Sequence, residues 1–98
     1  MPQRPSAILT QYRAFIIETA QRYRVANPRV FGSVLFGRDQ EGSDLDILID
    51  PLPHTTLFDL GGLQDELESA LGIPVDVLTP KDLPDSFRQI VLDQAQPL

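Results

Sequence analysis

Between residues 6 and 23 the apolar side chains Ile8, Leu9, Tyr12, Phe15, Ile16, Ala20 and Tyr23 recur at steps of three and four. That is the period of one buried helix face, and Pro5 and Ser6 supply a start signal for it. Asn27-Pro28 breaks the pattern, and Arg29-Val30-Phe31 is a short β-prone run ending at Gly32, so a first strand is expected there. Residues 32–36 have room for one helical turn, and residues 37–43, polar with two glycines, have the composition of an exposed loop. From Asp44 to Asp50 the chain alternates. This predicts a second strand with Leu45, Ile47 and Ile49 on one face and Asp44, Asp46, Leu48 and Asp50 on the other, ended by Pro51 and Pro53.

Thr56 followed three residues later by Asp59 resembles a helix start, and Leu60, Leu63, Leu67 and Leu71 continue as an apolar stripe through Ala70 to a stop at Gly72. The stripe is too short for a zipper and reads as core. Pro74-Val75-Asp76-Val77-Leu78 is a third strand candidate, and a last helix is expected from about Pro84 with Phe87, Ile90 and Val91 facing inward. The order αβ(α)βαβα predicts an α/β (α+β) fold: a small mixed β-sheet with helices mainly on one face and the carboxylate face open. No repeat or long linker divides the chain, so residues 1–98 are expected to form one domain.

Charge and composition narrow the function. Eight Lys and Arg stand against 14 Asp and Glu, a formal charge of −6. Such a balance repels phosphate backbones and argues against a general nucleic-acid binder, while it suits a metal site or a basic protein partner. With no Cys and one His, disulfides, thiolate metal sites, Cys nucleophiles and His-rich zinc sites are excluded, leaving hard, oxygen-ligated metals. No apolar run approaches the roughly 20 residues of a membrane span, and the stretch from Met1 to Pro5 has no apolar leader core. A cytoplasmic protein is the expectation.

The candidate chemistry lies in Gly32-Ser33 followed, ten residues on, by Asp44-Leu45-Asp46. A Gly at a strand-to-helix turn lets backbone N–H groups approach an oxyanion, the next Ser adds a hydroxyl donor, and a helix start adds a favourable dipole for phosphate. Two carboxylates at i and i+2 on a strand point the same way about 6.6 Å apart, close enough to converge on one or two Mg²⁺ ions. Burying them without a cation would be costly. The plain alternatives are an ordinary turn for Gly32-Ser33 and a solvated strand face for Asp44 and Asp46. Asp50 lies about 13 Å further along the strand than Asp46 and reads as a strand-end residue. Asp39, Glu41, Ser43 and Asp44 do not make a calcium loop, because Asp44 stands where the sixth-position Gly is needed and Asp50 where the closing Glu is needed. His54, between Pro53 and Thr55, reads as a surface loop residue.

Gly-Ser, ten residues and Asp-x-Asp together resemble the signature of the DNA polymerase β-like nucleotidyltransferase superfamily. Within it, the short length and element order resemble the minimal nucleotidyltransferase antitoxins of HEPN/MNT toxin–antitoxin systems, and the similarity covers nearly the whole chain. The resemblance implies Mg²⁺-dependent transfer of AMP from ATP to a hydroxyl, a tyrosine, of a partner HEPN ribonuclease toxin, in a hetero-oligomer with it. By position, Gly32 and Ser33 would hold the triphosphate and Asp44 and Asp46 the two Mg²⁺ ions. The third family carboxylate falls on Asp76. Lying between Val75 and Val77, it would point away from both and toward the Asp44 and Asp46 side, as a further ligand and the candidate base; a solvated strand edge is the alternative. Many family members carry Arg-Gly where this chain has Phe36-Gly37, so the phosphate-facing cation would fall to Arg38. A non-catalytic antitoxin that occludes its toxin is the second reading. A transferase acting on antibiotics or nucleic acids fits the length and acidic charge less well.

Overall fold

The computed structural model describes residues 4–98, and the first three residues of the Met1-to-Pro5 stretch lie outside that range. Helix α1 (Pro5–Arg22) begins with Pro at its first position and buries Ile8, Leu9, Ile16 and Ala20, as the periodicity predicts. Thr19 is buried among them, its hydroxyl donating to the Phe15 carbonyl at 2.7 Å, which satisfies a polar group that would otherwise be orphaned.

Strand β1 (Val25–Phe31) is longer than the run starting at Arg29. Asn27-Pro28 does not end the segment; the register with β2 shifts between Ala26 and Arg29, and Asn27 takes a φ of 58°. A bulge absorbs a proline that cannot donate to a ladder, and pairing resumes on its far side. Strand β2 (Leu45–Pro51) pairs antiparallel with β1 and parallel with β3 (Val75–Leu78). A two-residue strand β4 (Gln96–Pro97), absent from the expected order, pairs antiparallel with β1, giving the mixed sheet β3-β2-β1-β4. Two residues carry too little pattern to be read from sequence.

Helix α2 (Leu57–Leu71) has the expected capping box: Asp59 N–H donates to Thr56 Oγ1 at 3.1 Å and Thr56 N–H to Asp59 Oδ2 at 2.9 Å. It ends at Gly72, whose φ of 72° suits a residue without Cβ. Leu63, Leu67 and Leu71 meet Leu45, Ile47, Ile49, Val75 and Val77 in the main core, together with the inner face of α1. The leucine stripe is core.

The opposite face is only partly open. Helix α3 (Arg88–Gln94) and a 3₁₀ turn (Pro80–Asp82) cover its far half, where Leu48, Leu83 and Ala95 form a second cluster with Phe31, Leu78, Val91 and Leu92. The helix starts at Arg88, later than the expected Pro84, and of the three residues expected to face inward only Val91 does, since Phe87, at the cap, and Ile90 are 43% and 55% exposed. The cause is Arg88, which donates to the carbonyls of Pro80 and Leu83, both at 2.7 Å. With Arg88 held inward, Ile90 falls about 200° round the helix, on the outer side.

Candidate active site

The near half of that face carries the acidic residues. The parallel register pairs Asp46 of β2 with Asp76 of β3, so both side chains leave the sheet on the side of Leu48 and Leu78. What fixes β3 is its outer edge: Val75 N–H donates to Glu68 Oε2 at 3.0 Å and Val77 N–H to Gln64 Oε1 at 3.1 Å. These α2 side chains satisfy the amides of a sheet edge and lock the alternation that puts Asp76 on the site side. Asp44 is exposed just before β2, whose ladder begins with Leu45 N–H donating to the Pro74 carbonyl at 2.9 Å.

Three like charges meet at Asp46. Burial, the charges of Asp76 and Asp44, and a hydrogen bond shared with Asp76 push its carboxyl up to about 6. Among the described residues no group of three His, Cys, Asp or Glu side chains is gathered tightly enough to cage an ion alone. Mg²⁺ does not require such a cage, because it is usually held by one or two carboxylates with water and substrate phosphates completing the shell. Oxygen donors whose mutual repulsion a divalent cation would relieve fit that ion.

Gly32 follows Phe31, which is opposite Asp46 in the β1–β2 ladder. Its φ is 75°, and a Cβ on it would overlap Asp46 Oδ2. Gly32 is therefore packed directly against Asp46, which places the Gly32-Ser33 turn beside that carboxylate. The helical turn expected at residues 32–36 is instead a pair of nested turns, with Gly37 N–H donating to the Val34 carbonyl at 3.2 Å and Arg38 N–H to the Ser33 carbonyl at 2.9 Å. No helix dipole assists here; backbone N–H groups and the Ser33 hydroxyl are what the turn offers an anion. Phe36 is 51% exposed, and the Arg38 guanidinium lies 5.8 Å from its ring centroid, within cation–π range.

Asp50 is apart from this cluster, as expected. Arg29 grips it with two bonds of 3.0 and 3.1 Å, and Asn27 adds one at 3.2 Å. The Arg29 bonds hold its carboxyl below the usual range against the opposing effect of burial. His54 is exposed in the loop after β2. One residue escaped the sequence reading: Asp39, in the supposedly exposed loop, is 1% exposed. Hydropathy gives no sign of this. The available signal was at the other end of the bond, where Arg4 at the start of α1 makes no side-chain cap and leaves helix amides needing an acceptor from elsewhere.

Residues 13–98 match the family described as Nucleotidyltransferase domain. The chain is 34% identical over 86 residues to protein adenylyltransferase MntA of Thermococcus cleftensis, covering 88% of this chain and 84% of that one. A solved structure named provisionally as a minimal nucleotidyltransferase superposes with a TM-score of 0.85 at 35% identity, over 95% of each chain. A toxin–antitoxin crystal structure with AMP-PNP shares the fold, with a TM-score of 0.70 at 24% identity over 84% of this chain and 68% of that one. A Gly-Ser turn seated on the strand carboxylate Asp46 and a match across most of the sequence agree: the chain belongs to the nucleotidyltransferase domain family.

Proposed function

We propose that this nucleotidyltransferase is an antitoxin that transfers AMP from ATP to a tyrosine hydroxyl of a HEPN ribonuclease toxin in the cytoplasm, and so silences it. The observation that carries the reading is Asp46, which pairs with Asp76 across β2 and β3 and packs directly against Gly32. The name of the Thermococcus relative, a protein adenylyltransferase, supports a protein acceptor, and the toxin–antitoxin structure with AMP-PNP supports a toxin partner and a nucleotide donor. In this reading the chain and its toxin act as a hetero-oligomer, and the toxin itself presents the acceptor hydroxyl.

In the reaction the acceptor oxygen bonds to the α-phosphorus of ATP, the α–β phosphoanhydride bond breaks, and pyrophosphate leaves. Asp44, Asp46 and Asp76 would hold Mg²⁺, whose charge offsets that of the phosphates when bound. Asp76, more exposed than Asp46, accepts the hydroxyl proton. Gly32 and Ser33 present N–H and hydroxyl donors to the triphosphate, and Arg38 supplies the nearby cation.

Phe36 favours a second reading, a binding-only antitoxin, because an aromatic ring stands where many of the family carry Arg. Incubation with the cognate toxin, ATP and Mg²⁺ followed by intact mass spectrometry separates the two. A mass gain of one or more AMP on the toxin, lost with Asp44→Asn, is the expected result. A silenced toxin of unchanged mass would overturn the enzymatic reading.

A further inference from the structure

Asp39 sits in a polar loop, yet its side chain is fully buried. Oδ2 accepts the Ser6 N–H at 2.8 Å, and Oδ1 faces the Arg4 guanidinium at 3.3 Å. Arg4 also reaches the backbone on either side, donating through Nε to the Asp39 carbonyl at 2.8 Å and through Nη2 to the Gly37 carbonyl at 3.3 Å. Helix α1 has no acidic residue in its first turn and no side-chain cap. From 33 residues away, Asp39 supplies both the acceptor and the negative charge that a helix start favours. Burial pushes its carboxyl up, but the Ser6 bonds and the Arg4 charge outweigh that and hold it below the usual range.

A buried carboxylate tied this way makes residues 37–39 a strut, not a loose loop. The residue beside it is held from the other direction, since the Arg38 amide bonds the Ser33 carbonyl at 2.9 Å and its guanidinium rests over Phe36. One short segment therefore links the start of α1 to the turn that abuts Asp46. The geometry points to Asp39 as a positioning residue: by anchoring residues 37–39 to α1 it sets Arg38 and the Gly32-Ser33 turn for the triphosphate of a bound nucleotide. This rests on the nucleotide reading above and adds to it a determinant of phosphate affinity outside the acidic cluster.

The test is calorimetric titration of the full chain with ATP and with AMP, in Mg²⁺, alongside thermal unfolding. Asp39→Ala is expected to weaken ATP about tenfold, the scale of one lost charge-assisted contact, and AMP by less than about twofold. Asp39→Asn, which keeps an acceptor for Ser6 but loses the charge, falls between. Arg4→Gln, on an exposed side chain, moves the ATP-to-AMP ratio in the same direction and serves if Asp39→Ala does not fold. Because part of the effect of Asp39 runs through Arg38, the double variant Asp39→Ala/Arg38→Ala should lose less ATP affinity than the two single losses combined. Equal weakening of ATP and AMP, unchanged binding, or additive losses in the double variant would overturn the positioning role while leaving the nucleotide site standing. A wild-type chain that binds neither nucleotide would instead overturn the nucleotide reading, and this role with it.

Discussion

Gly32 and Asp46 are packed so closely that a methyl group on the Gly32 Cα would occupy the place of Asp46 Oδ2. The contact joins the end of β1 to the middle of the acidic face, and the glycine's φ of 75° is one that side chains rarely adopt. Two independent demands for glycine thus fall on a single position. Gly32→Ala should cost about 1–3 kcal/mol from strain and overpacking together. It should also lower AMP transfer at least tenfold, because the carboxylate must move aside. Thermal unfolding and the mass-shift assay check the two effects separately. A variant with full activity would mean that the turn is not part of the site.

Asp46 makes the site unstable when no cation is present. Its folded carboxyl is raised to about 6, above an ordinary 3.8, by burial and by Asp76 and Asp44. Between those values the folded state holds the proton more tightly than the unfolded chain, so stability falls as pH rises through the window and stays lower above it. Asp46→Asn removes that penalty. In chelator at pH 7.5 the variant should be more stable than wild type, by roughly 1 kcal/mol once solvent screening of a half-buried group is allowed for, and it should transfer no AMP. The gain should vanish near pH 4. An Asp46→Asn protein less stable than wild type at pH 7.5 would contradict the repulsion.

The Arg29–Asp50 pair has the opposite sign. Arg29 is 8% exposed and holds Asp50 by two bonds, and the carboxyl titrates below its usual range. A depressed folded value means the stabilisation is present above about pH 4 and is lost as pH falls through the folded value. Asp50→Asn should therefore destabilise the fold by about 1–3 kcal/mol at neutral pH, leaving a nearly buried guanidinium poorly paired. Denaturant titration at pH 7 and pH 3 should show the difference shrinking at the lower value. AMP transfer by the folded variant should be unchanged, because Asp50 is outside the acidic cluster; a lost activity with intact stability would make it a site residue.

How legible each feature was depended on how local its cause is. The strand alternation around Asp46, the capping box of Thr56 and Asp59 and the stop at Gly72 are set by neighbours in sequence, and each was readable there. The facing of Asp76 followed from alternation, although the edge bonds from Gln64 and Glu68 that enforce it did not. The outward turn of Ile90 depends on carbonyls that Arg88 meets only in the folded chain. Burial of Asp39 was invisible for the same reason: its partners, Arg4 and Ser6, are 35 and 33 residues away in sequence, and no local pattern marks an acid that caps a distant helix.

Phe36 offers the last and sharpest test of where the phosphate-facing cation resides. Its ring supports the Arg38 guanidinium at 5.8 Å, so residue 36 supplies a platform where many of the family place the charge itself. If Arg38 already serves the phosphates, Phe36→Arg should change turnover less than about threefold in an otherwise wild-type chain, because a second cation adds little beside the first. In an Arg38→Ala background, which should itself lose about tenfold, the same substitution should restore most of the activity. Steady-state kinetics with ATP as the varied substrate distinguish the cases. A large gain from Phe36→Arg alone would mean that the native turn lacks a cation that the chemistry can use, and that Arg38 does not reach the phosphates.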